Sequence, residues 1–379
     1  MKTFLVFLLV VVARIQTEVL QSDLSIYDLC SVPSRDQFSQ TIYINCSNLN
    51  ITNLYNISGE INTNTNTTIN SNITTTSNTN MTTRRVTVVG LDLSENQLSS
   101  LEGGLLASLL ASLTSLDLNH NELNSRGLTE TSLQPAGAEK SNLTILNLSH
   151  NKIDQLPATL FAYLDHLETL DLSFNPLAQL DSQTSSAIGA VASLQFLDLR
   201  GCDLRILPEE MMAGLTQLRT LDLSSNHFTR IDPSIRAASA LTSLIVDNND
   251  LNILDETSFQ GLEQLHNLSV SYSQNLSTIE ADTFSRLVEL EDLRLSHNPA
   301  FYWIHPGAWA AEDSQTNTEF SLKVFSLNNN SLTYLPSMLL PTFRDWSQIE
   351  VSQTSVLARS AVVCSLCLVP GPSEQPLAV

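Results

Sequence analysis

Basic residues are scarce in this chain. Its 379 residues contain 18 lysines and arginines against 39 aspartates and glutamates, which gives a formal net charge of −21 at neutral pH. Phosphate backbones and anionic lipid headgroups need a positive protein surface, so nucleic acid and acidic membranes are poor partners. A basic protein, calcium or a neutral ligand stays possible, and solubility alone is an equally good reason for the surplus charge.

The motifs of common catalytic sites are also missing. The sequence has no glycine-rich phosphate loop, no His-Glu-x-x-His and no Gly-x-Ser-x-Gly. Its seven histidines are mostly scattered through variable positions of the repeat described below, as at His120, His150 and His297. We therefore expect no enzymatic activity, no cofactor and no metal site.

Long apolar runs are absent as well. The longest, Phe4 to Ala13, follows Lys2 and precedes Arg14. A helix needs about 20 apolar residues to cross a bilayer, so this run is too short for a membrane anchor and is typical of a secretory signal peptide. We predict a signal peptide over residues 1–17, a secreted, extracellular protein and no membrane span.

Potential glycosylation sites agree with export. The Asn-x-Ser/Thr pattern begins at eleven positions, although several would arise by chance in a chain so rich in Asn and Thr. They are Asn45, Asn50, Asn56, Asn66, Asn72, Asn80, Asn142, Asn147, Asn267, Asn275 and Asn329.

What the sequence does contain is a repeat. The pattern L-x-x-L-x-L-x-x-N-x-L recurs in ten copies at intervals of 23 to 32 residues. In a segment such as Leu-Asp-Leu the two leucines point to one side of a strand and the aspartate to the other, so stacked copies form a parallel sheet over a leucine core. The copies begin at Val88, Leu113, Leu143, Leu167, Leu194, Leu218, Leu241, Leu265, Leu290 and Leu322.

The asparagine of each copy follows the strand, where the chain turns inward. Its amide can bond backbone groups that the turn leaves unpaired, so we interpret these asparagines as scaffold. Aromatic residues farther along, such as Phe161, Phe259 and Phe284, are expected to pack in the core. The asparagines are Asn96, Asn121, Asn151, Asn175, Asn226, Asn249, Asn298 and Asn330.

From Cys30 to Val351 the chain resembles the extracellular leucine-rich-repeat family, of the Toll-like or adhesion type with an N-terminal cysteine cap. The resemblance implies an α/β solenoid, or horseshoe, with a parallel concave β-sheet and a convex side of irregular, 3₁₀ and short helical segments. The predicted parts are an N-terminal cap at 28–61, an Asn/Thr-rich low-complexity loop at 62–85, about ten repeats over 86–342, and a degenerate or truncated C-terminal cap and tail at 343–379.

The resemblance also bears on the cysteines. Cys30 and Cys46 lie in the cap-like segment and are expected to form a disulfide in an oxidising compartment. Cys202 stands at a repeat asparagine position and is expected to stay a buried thiol. Cys364 and Cys367 lie in the tail, where the loss of the family pattern favours a truncated or alternatively spliced end.

Solenoids of this family usually bind through the concave face. There the position after each inward leucine is mostly aspartate, which fits the common repeat pattern and needs no functional explanation. The candidate binding residues are those acids and the departures from the pattern in copies four to eight: Phe174, Phe196, Asp198, Arg200, Asp222, Ile245, Asp247 and Tyr272.

The expected fold indicates a class of function, binding, but not a particular ligand. We expect protein–protein recognition by a secreted matrix, adhesion or signalling ligand, with an extracellular protein ligand or receptor as partner and an undetermined oligomeric state. A soluble or truncated ectodomain of a Toll-like pattern-recognition or adhesion receptor is the first alternative, and a secreted enzyme inhibitor is the second.

Peptide mapping tests the cysteine assignment. We expect a Cys30–Cys46 disulfide, which closes a loop of about 15 residues and contributes roughly 3 kcal/mol in the chain-entropy model. Cys202 is expected to remain reduced because it lies in the repeat core. A bridge from Cys202 to either cap cysteine under non-reducing conditions contradicts this.

Overall fold

The computed structural model describes residues 41–52, 54, 87–101, 104–137, 140–309, 322–333, 335 and 349–350. The predicted signal peptide, Cys30, most of the predicted cap, the tract at 62–85, four of the sequons (Asn56, Asn66, Asn72 and Asn80) and the tail beyond 350 lie outside these residues. No helix among the described residues is long and apolar enough to cross a bilayer.

One parallel sheet of twelve strands, arranged in chain order, organises the fold. Each of the ten predicted copies contributes one strand, and the second-last residue of each strand is a buried leucine or phenylalanine. The strands are Thr87–Asp92, Ser115–Asp117, Ile145–Asn147, Thr169–Asp171, Phe196–Asp198, Thr220–Asp222, Ser243–Ile245, Asn267–Ser269, Asp292–Arg294 and Val324–Ser326. The leucine-rich horseshoe expected from the repeat is confirmed.

The copies are stacked in one register. Leu116 lies opposite Leu146, and Leu146 opposite Leu170, while Asp117 lies opposite Asn147. Equivalent positions of successive copies therefore form continuous columns across the sheet, about 4.8 Å apart from strand to strand.

Two further strands extend the sheet at its ends. Thr41–Asn45 pairs with the first repeat strand, and Ile349–Glu350 pairs with the last. Since Ile349 lies opposite Phe325, Trp346 and Val351 stand in sequence where Leu322 and Leu327 stand in the preceding copy. Ile349–Glu350, which lies in the segment interpreted from sequence as the start of a C-terminal cap, thus pairs in the register of the repeat strands.

The convex side is more varied than expected. The predicted helical and 3₁₀ segments are present at Gly104–Leu109, Ser182–Gly189, Glu209–Gly214 and Pro233–Ala237. Copies seven to nine instead carry short strands, Ile253–Leu254, Thr278–Ile279 and Trp303–Ile304, which form a second parallel sheet. Isoleucine and threonine, which favour extended backbone, make up four of these six residues. Behind these strands Phe259 and Phe284 are buried, as predicted, with ring centroids 5.8 Å apart.

The repeat asparagines join neighbouring copies. Asn121 donates its amide to the carbonyls of Leu93 and Leu118, at 2.9 and 3.1 Å, and accepts the backbone N–H of Leu98 at 2.9 Å. All eight predicted asparagines are buried, and their scaffold role is confirmed by bonds of this kind. We call the set the asparagine ladder.

Two copies lack the ladder asparagine. Cys202 replaces it in copy five, where its thiol donates weakly to the Leu172 carbonyl at 3.3 Å. Ser273 replaces it in copy eight, and its buried hydroxyl has no hydrogen-bond partner. Neither residue reproduces the paired bonds of the amide.

The described cysteines differ in state. Cys202 is a buried free thiol, and burial raises its pKa to about 12, so it stays protonated. Cys46 is buried and disulfide-bonded. Its predicted partner, Cys30, lies outside the described residues, so that pairing stays a prediction.

The ladder can be tested with a matched pair of substitutions. Asn226 bonds the carbonyls of Leu199 and Leu223 and the N–H groups of Cys202 and Leu204. Asn226→Ala should lower the free energy of unfolding by about 2–4 kcal/mol, because it orphans buried backbone groups. Ser273→Ala should be neutral or stabilising, since that hydroxyl already lacks a partner. Equal losses in chemical denaturation would show that the ladder amides contribute no more than packing does.

Candidate functional site

Two columns of side chains line the open face of the main sheet. The central column is the residue after the buried leucine of each strand. Its members are Asp92, Asp117, Asn147, Asp171, Asp198, Asp222, Ile245, Ser269, Arg294 and Ser326. The rim column lies three residues later, directly before the ladder position. Its members are Glu95, His120, His150, Phe174, Gly201, Ser225, Asn248, Tyr272, His297 and Asn329.

The aspartates of the central column have a structural task. The carboxylates of Asp92, Asp117, Asp171, Asp198 and Asp222 each accept the backbone N–H two residues later, in every case at 2.9 Å. This bond closes the turn that follows the strand, as in an Asx turn. The repeat pattern alone therefore explains why aspartate is frequent here.

In copy seven the central column has an apolar residue, Ile245, so the turn after this strand lacks the aspartate bond. Ile245 offers no acceptor, and Asp247 accepts the hydroxyl of Ser269 and the N–H of Ser271, both at 2.7 Å. Asp247 thus supports the following copy. Burial raises the pKa of this carboxyl above its ordinary value, while the Ser269 and Ser271 bonds oppose the shift.

Most of the crowded acids have a polar or cationic side-chain partner. Asn45 donates to Asp92 at 2.8 Å. Arg200 pairs with Asp198 at 2.7 Å and approaches Asp222 at 3.5 Å. Burial raises the pKa of Asp198, against the opposing effect of the Arg200 bonds. The guanidinium therefore compensates two carboxylates that the fold has removed from water.

Asp171 differs from its neighbours. It is half-buried, and its carboxylate accepts the Ser173 N–H at 2.9 Å. Within the described part of the chain no side chain donates a hydrogen bond to it and no cation lies within ion-pair distance, although the charge of Arg200 is close enough to interact.

Aromatic rings stack along the rim column. The rings of His120 and His150 lie 4.1 Å apart, and those of His150 and Phe174 lie 4.4 Å apart. Farther along, Tyr272 and His297 stack at 4.5 Å. Rim residues have φ between 51° and 62°, a turn conformation that directs successive rings the same way. Burial and the neighbouring His120 lower the pKa of His150.

Glycine at position 201 makes room for the end of this stack. A Cβ atom there would lie 2.6 Å from Cδ1 of Phe174, so a larger residue would displace the ring. The rim then holds only small or polar residues until Tyr272. The rim histidines occupy variable positions of the repeat, and their mark in the sequence is a place directly before the ladder asparagine, which Phe174 shares.

The predicted binding residues fall into three groups. Phe174 and Tyr272 are exposed, at 43% and 50%. Phe196, Arg200, Ile245 and Asp247 are half-buried on the same face. Asp198 and Asp222 belong to the face by register, but only 2% and 7% of their surface is exposed, because they lie beneath Arg200 and neighbouring copies. They support the surface more than they contribute to it.

Two hollows adjoin these residues. One, of about 280 Å³, lies on the sheet and is lined by Ile245, Asp247, Asn267 and Arg294 among others. The other, of about 790 Å³, lies on the flank beside Ile206 and His227. In the described part of the chain no group of three or more His, Cys, Asp or Glu residues is placed to hold a metal ion.

Sequons border the open face. Asn267 is exposed on it, whereas Asn147 is half-buried and its side-chain oxygen accepts the Ser149 N–H at 3.0 Å. No sequon begins between residues 148 and 266. Of the other described sequons, Asn329 is half-buried, and the exposed ones are Asn45, Asn50, Asn142 and Asn275.

Comparisons with known proteins point to one family. Models described as "Leucine rich repeat" match residues 141–204 and 239–299, with further matches at 110–130 and 217–237. Mouse (Mus musculus) Tsukushi is 29% identical over 267 residues, covering 69% of this chain and 71% of that protein. Mouse podocan-like protein 1 is 28% identical over 267 residues, covering 65% of this chain.

The chain covers only part of some of the proteins that it matches. The chain spans 40% of podocan-like protein 1, well under half of that protein. Among solved structures, the Toll–Spatzle complex from Drosophila matches at 23% identity with a TM-score of 0.47, covering 70% of this chain and 41% of that one.

Removal of the shared cation tests the electrostatics. Arg200→Met should lower the free energy of unfolding near pH 7 by about 1–3 kcal/mol, since it leaves Asp198 and Asp222 unpaired and Arg200 is itself partly exposed. An aspartate whose folded-state pKa is raised above 3.8 favours the fold when protonated, and that advantage is lost as pH rises through the raised pKa. The deficit of the variant should therefore shrink on acidification to about pH 4.

Arg294→Met is the control. Arg294 pairs with Asp292 at 2.8 Å, but 60% of its side chain is exposed. Its loss should therefore change the free energy of unfolding little at any pH. Thermal midpoints across pH for both variants provide the measurement. A deficit for Arg200→Met that does not change with pH contradicts the assignment.

Proposed function

Because the chain is a leucine-rich-repeat protein, we propose that it is a secreted, non-catalytic protein that recognises another extracellular protein through its concave sheet. The proposed contact surface, which we call the window, is the concave face of copies four to seven, between Asn147 and Asn267. The protein would act as a matrix, adhesion or signalling ligand.

The observation that carries the proposal is the surface of the window. Phe174 and Tyr272 flank it as exposed aromatics, and Phe196, Arg200 and Ile245 lie half-buried between them. Aromatic and arginine side chains are enriched where protein interfaces gain most of their binding energy. The described chain has no element packed over this face, so these side chains are open to a partner.

The distribution of sequons supports the same surface. The stretch 148–266 contains no sequon, although the chain has eleven. Sugars on Asn147 and Asn267 would stand at the two borders of the window and confine a partner to the space between them. If Asn147 is left unmodified, its half-buried amide keeps its turn bond and that border is open.

Export is supported by three features of the chain. The first residues have the pattern of a signal peptide, the sequons are suited to a secretory route, and Cys46 is disulfide-bonded. Disulfides persist in oxidising compartments and are rare in the cytosol.

A new glycan on the window tests the proposal. The double substitution Ser243→Asn and Ile245→Thr creates a sequon in the strand of copy seven, and a sugar there would cover the window. Against a panel of purified extracellular proteins we expect the variant to lose the binding of the wild-type chain by about tenfold or more.

The matched control adds a glycan to the convex side of the same copy. Glu256 is exposed, and Glu256→Asn alone creates the sequon Asn-Thr-Ser. Occupancy of both sites is checked by the shift in mass on enzymatic deglycosylation. Binding that survives the window glycan, or that is lost equally with the convex one, contradicts recognition through the window.

A further inference from the structure

The acids of the window outnumber its cations. Asp171, Asp198 and Asp222 occupy successive positions of the central column, and Arg200 is the basic side chain that lies among them. The guanidinium is engaged with Asp198 and Asp222, which are buried. Within the window, the column therefore has one half-buried carboxylate, Asp171, that receives neither an ion pair nor a side-chain hydrogen bond from the described chain.

The surroundings of Asp171 are suited to a long side chain. Phe174 follows three residues later and is 43% exposed. On the neighbouring strand Ile145 lies opposite Thr169, two residues before Asp171, and is 45% exposed. An exposed aromatic ring three residues along the chain and an exposed aliphatic chain on the neighbouring strand therefore offer apolar surface in the vicinity of this charge.

The ring stack holds Phe174 in place. His150 covers one side of its ring, and the backbone of Gly201 lies close to the ring on the other side. A side chain fixed in this way loses little conformational entropy when a partner packs against it. The rim thus presents a preorganised contact beside the carboxylate.

We infer that the partner inserts an arginine side chain at the copy-four edge of the window, where its guanidinium pairs with Asp171 and its aliphatic stem packs against Phe174 and against Ile145 of the adjoining copy three. The inference rests on the proposed function, since it names the chemistry of the partner for the same surface. The Ser173 N–H donates a hydrogen bond to one carboxylate oxygen of Asp171. The other oxygen accepts a hydrogen bond from the partner's guanidinium.

Arginine fits this place better than lysine. Its guanidinium is planar and less strongly hydrated than an ammonium, so it is the better group for a half-buried ion pair. Its stem also covers apolar surface while the charge stays at the tip.

A peptide probe tests the pairing directly. The probe is a fluorescent peptide of alternating glycine and arginine, compared with analogues in which lysine or uncharged citrulline replaces arginine. Binding is measured by fluorescence anisotropy to the whole secreted chain. We expect the order arginine, lysine, citrulline, with Asp171→Asn weakening the arginine peptide by about fivefold.

The variants are chosen to keep the fold and the net charge comparable. Asp171→Asn retains an acceptor for the turn, as Asn147 does at the same position of copy three. The control Glu130→Gln removes an equal charge from an exposed residue in copy two and should change the affinity by less than about twofold. Phe174→Ala should weaken binding of the arginine peptide by about threefold, because the arginine stem loses its apolar contact.

The outcomes separate this inference from the proposed function. Equal losses for Asp171→Asn and Glu130→Gln, or no loss for Asp171→Asn, would overturn the pairing. If the glycan at position 243 blocks the peptide while Asp171→Asn does not, the window binds and Asp171 is not the anchor. If the window glycan has no effect on the peptide or on the protein panel, the surface itself is wrong.

Discussion

In most copies of the repeat, the turn that follows the strand is held by the ladder asparagine of the next copy. The ladder asparagine bonds carbonyls of its own copy and of the preceding one, and its oxygen receives an N–H of the preceding copy. These bonds satisfy backbone groups that the sharp turn removes from both strand pairing and water. Because the same residue does this at the same point of nearly every copy, the strands are held in one register, and the two surface columns follow from that register.

The sequence was sufficient for the parts of the structure that repeat. Leucine spacing predicted the strands, their inward faces and the central column, and the ladder asparagines were identified from their position alone. The rest depends on contacts between copies. Burial of Asp198 and Asp222 under Arg200 could not be read from one copy, because Arg200 stands at a position that is serine or asparagine in most others. The histidine stacks appear only when neighbouring rims are placed side by side.

Irregular elements were the hardest to predict for the same reason. The convex strands at 253–254, 278–279 and 303–304 are two residues long, so they have no periodicity that a sequence pattern could reveal. Ile349–Glu350 joins the sheet although its copy lacks the leucines and the asparagine of the pattern. In both cases an adjacent copy supplies the pairing partner, and tertiary context decides the conformation.

The two gaps in the ladder have a mechanical consequence. Repeats in a solenoid contact only their neighbours, so such a stack parts first at its weakest joints. At the ladder position Cys202 leaves one weak thiol bond between copies four and five. Ser273 leaves no ladder bond between copies seven and eight, where Asp247 still accepts the Ser269 hydroxyl. Copies five to seven lie between these joints, and the ladder amides of Asn226 and Asn249 join copy five to copy six and copy six to copy seven. We therefore expect copies five to seven to separate from the rest of the stack as one cooperative unit.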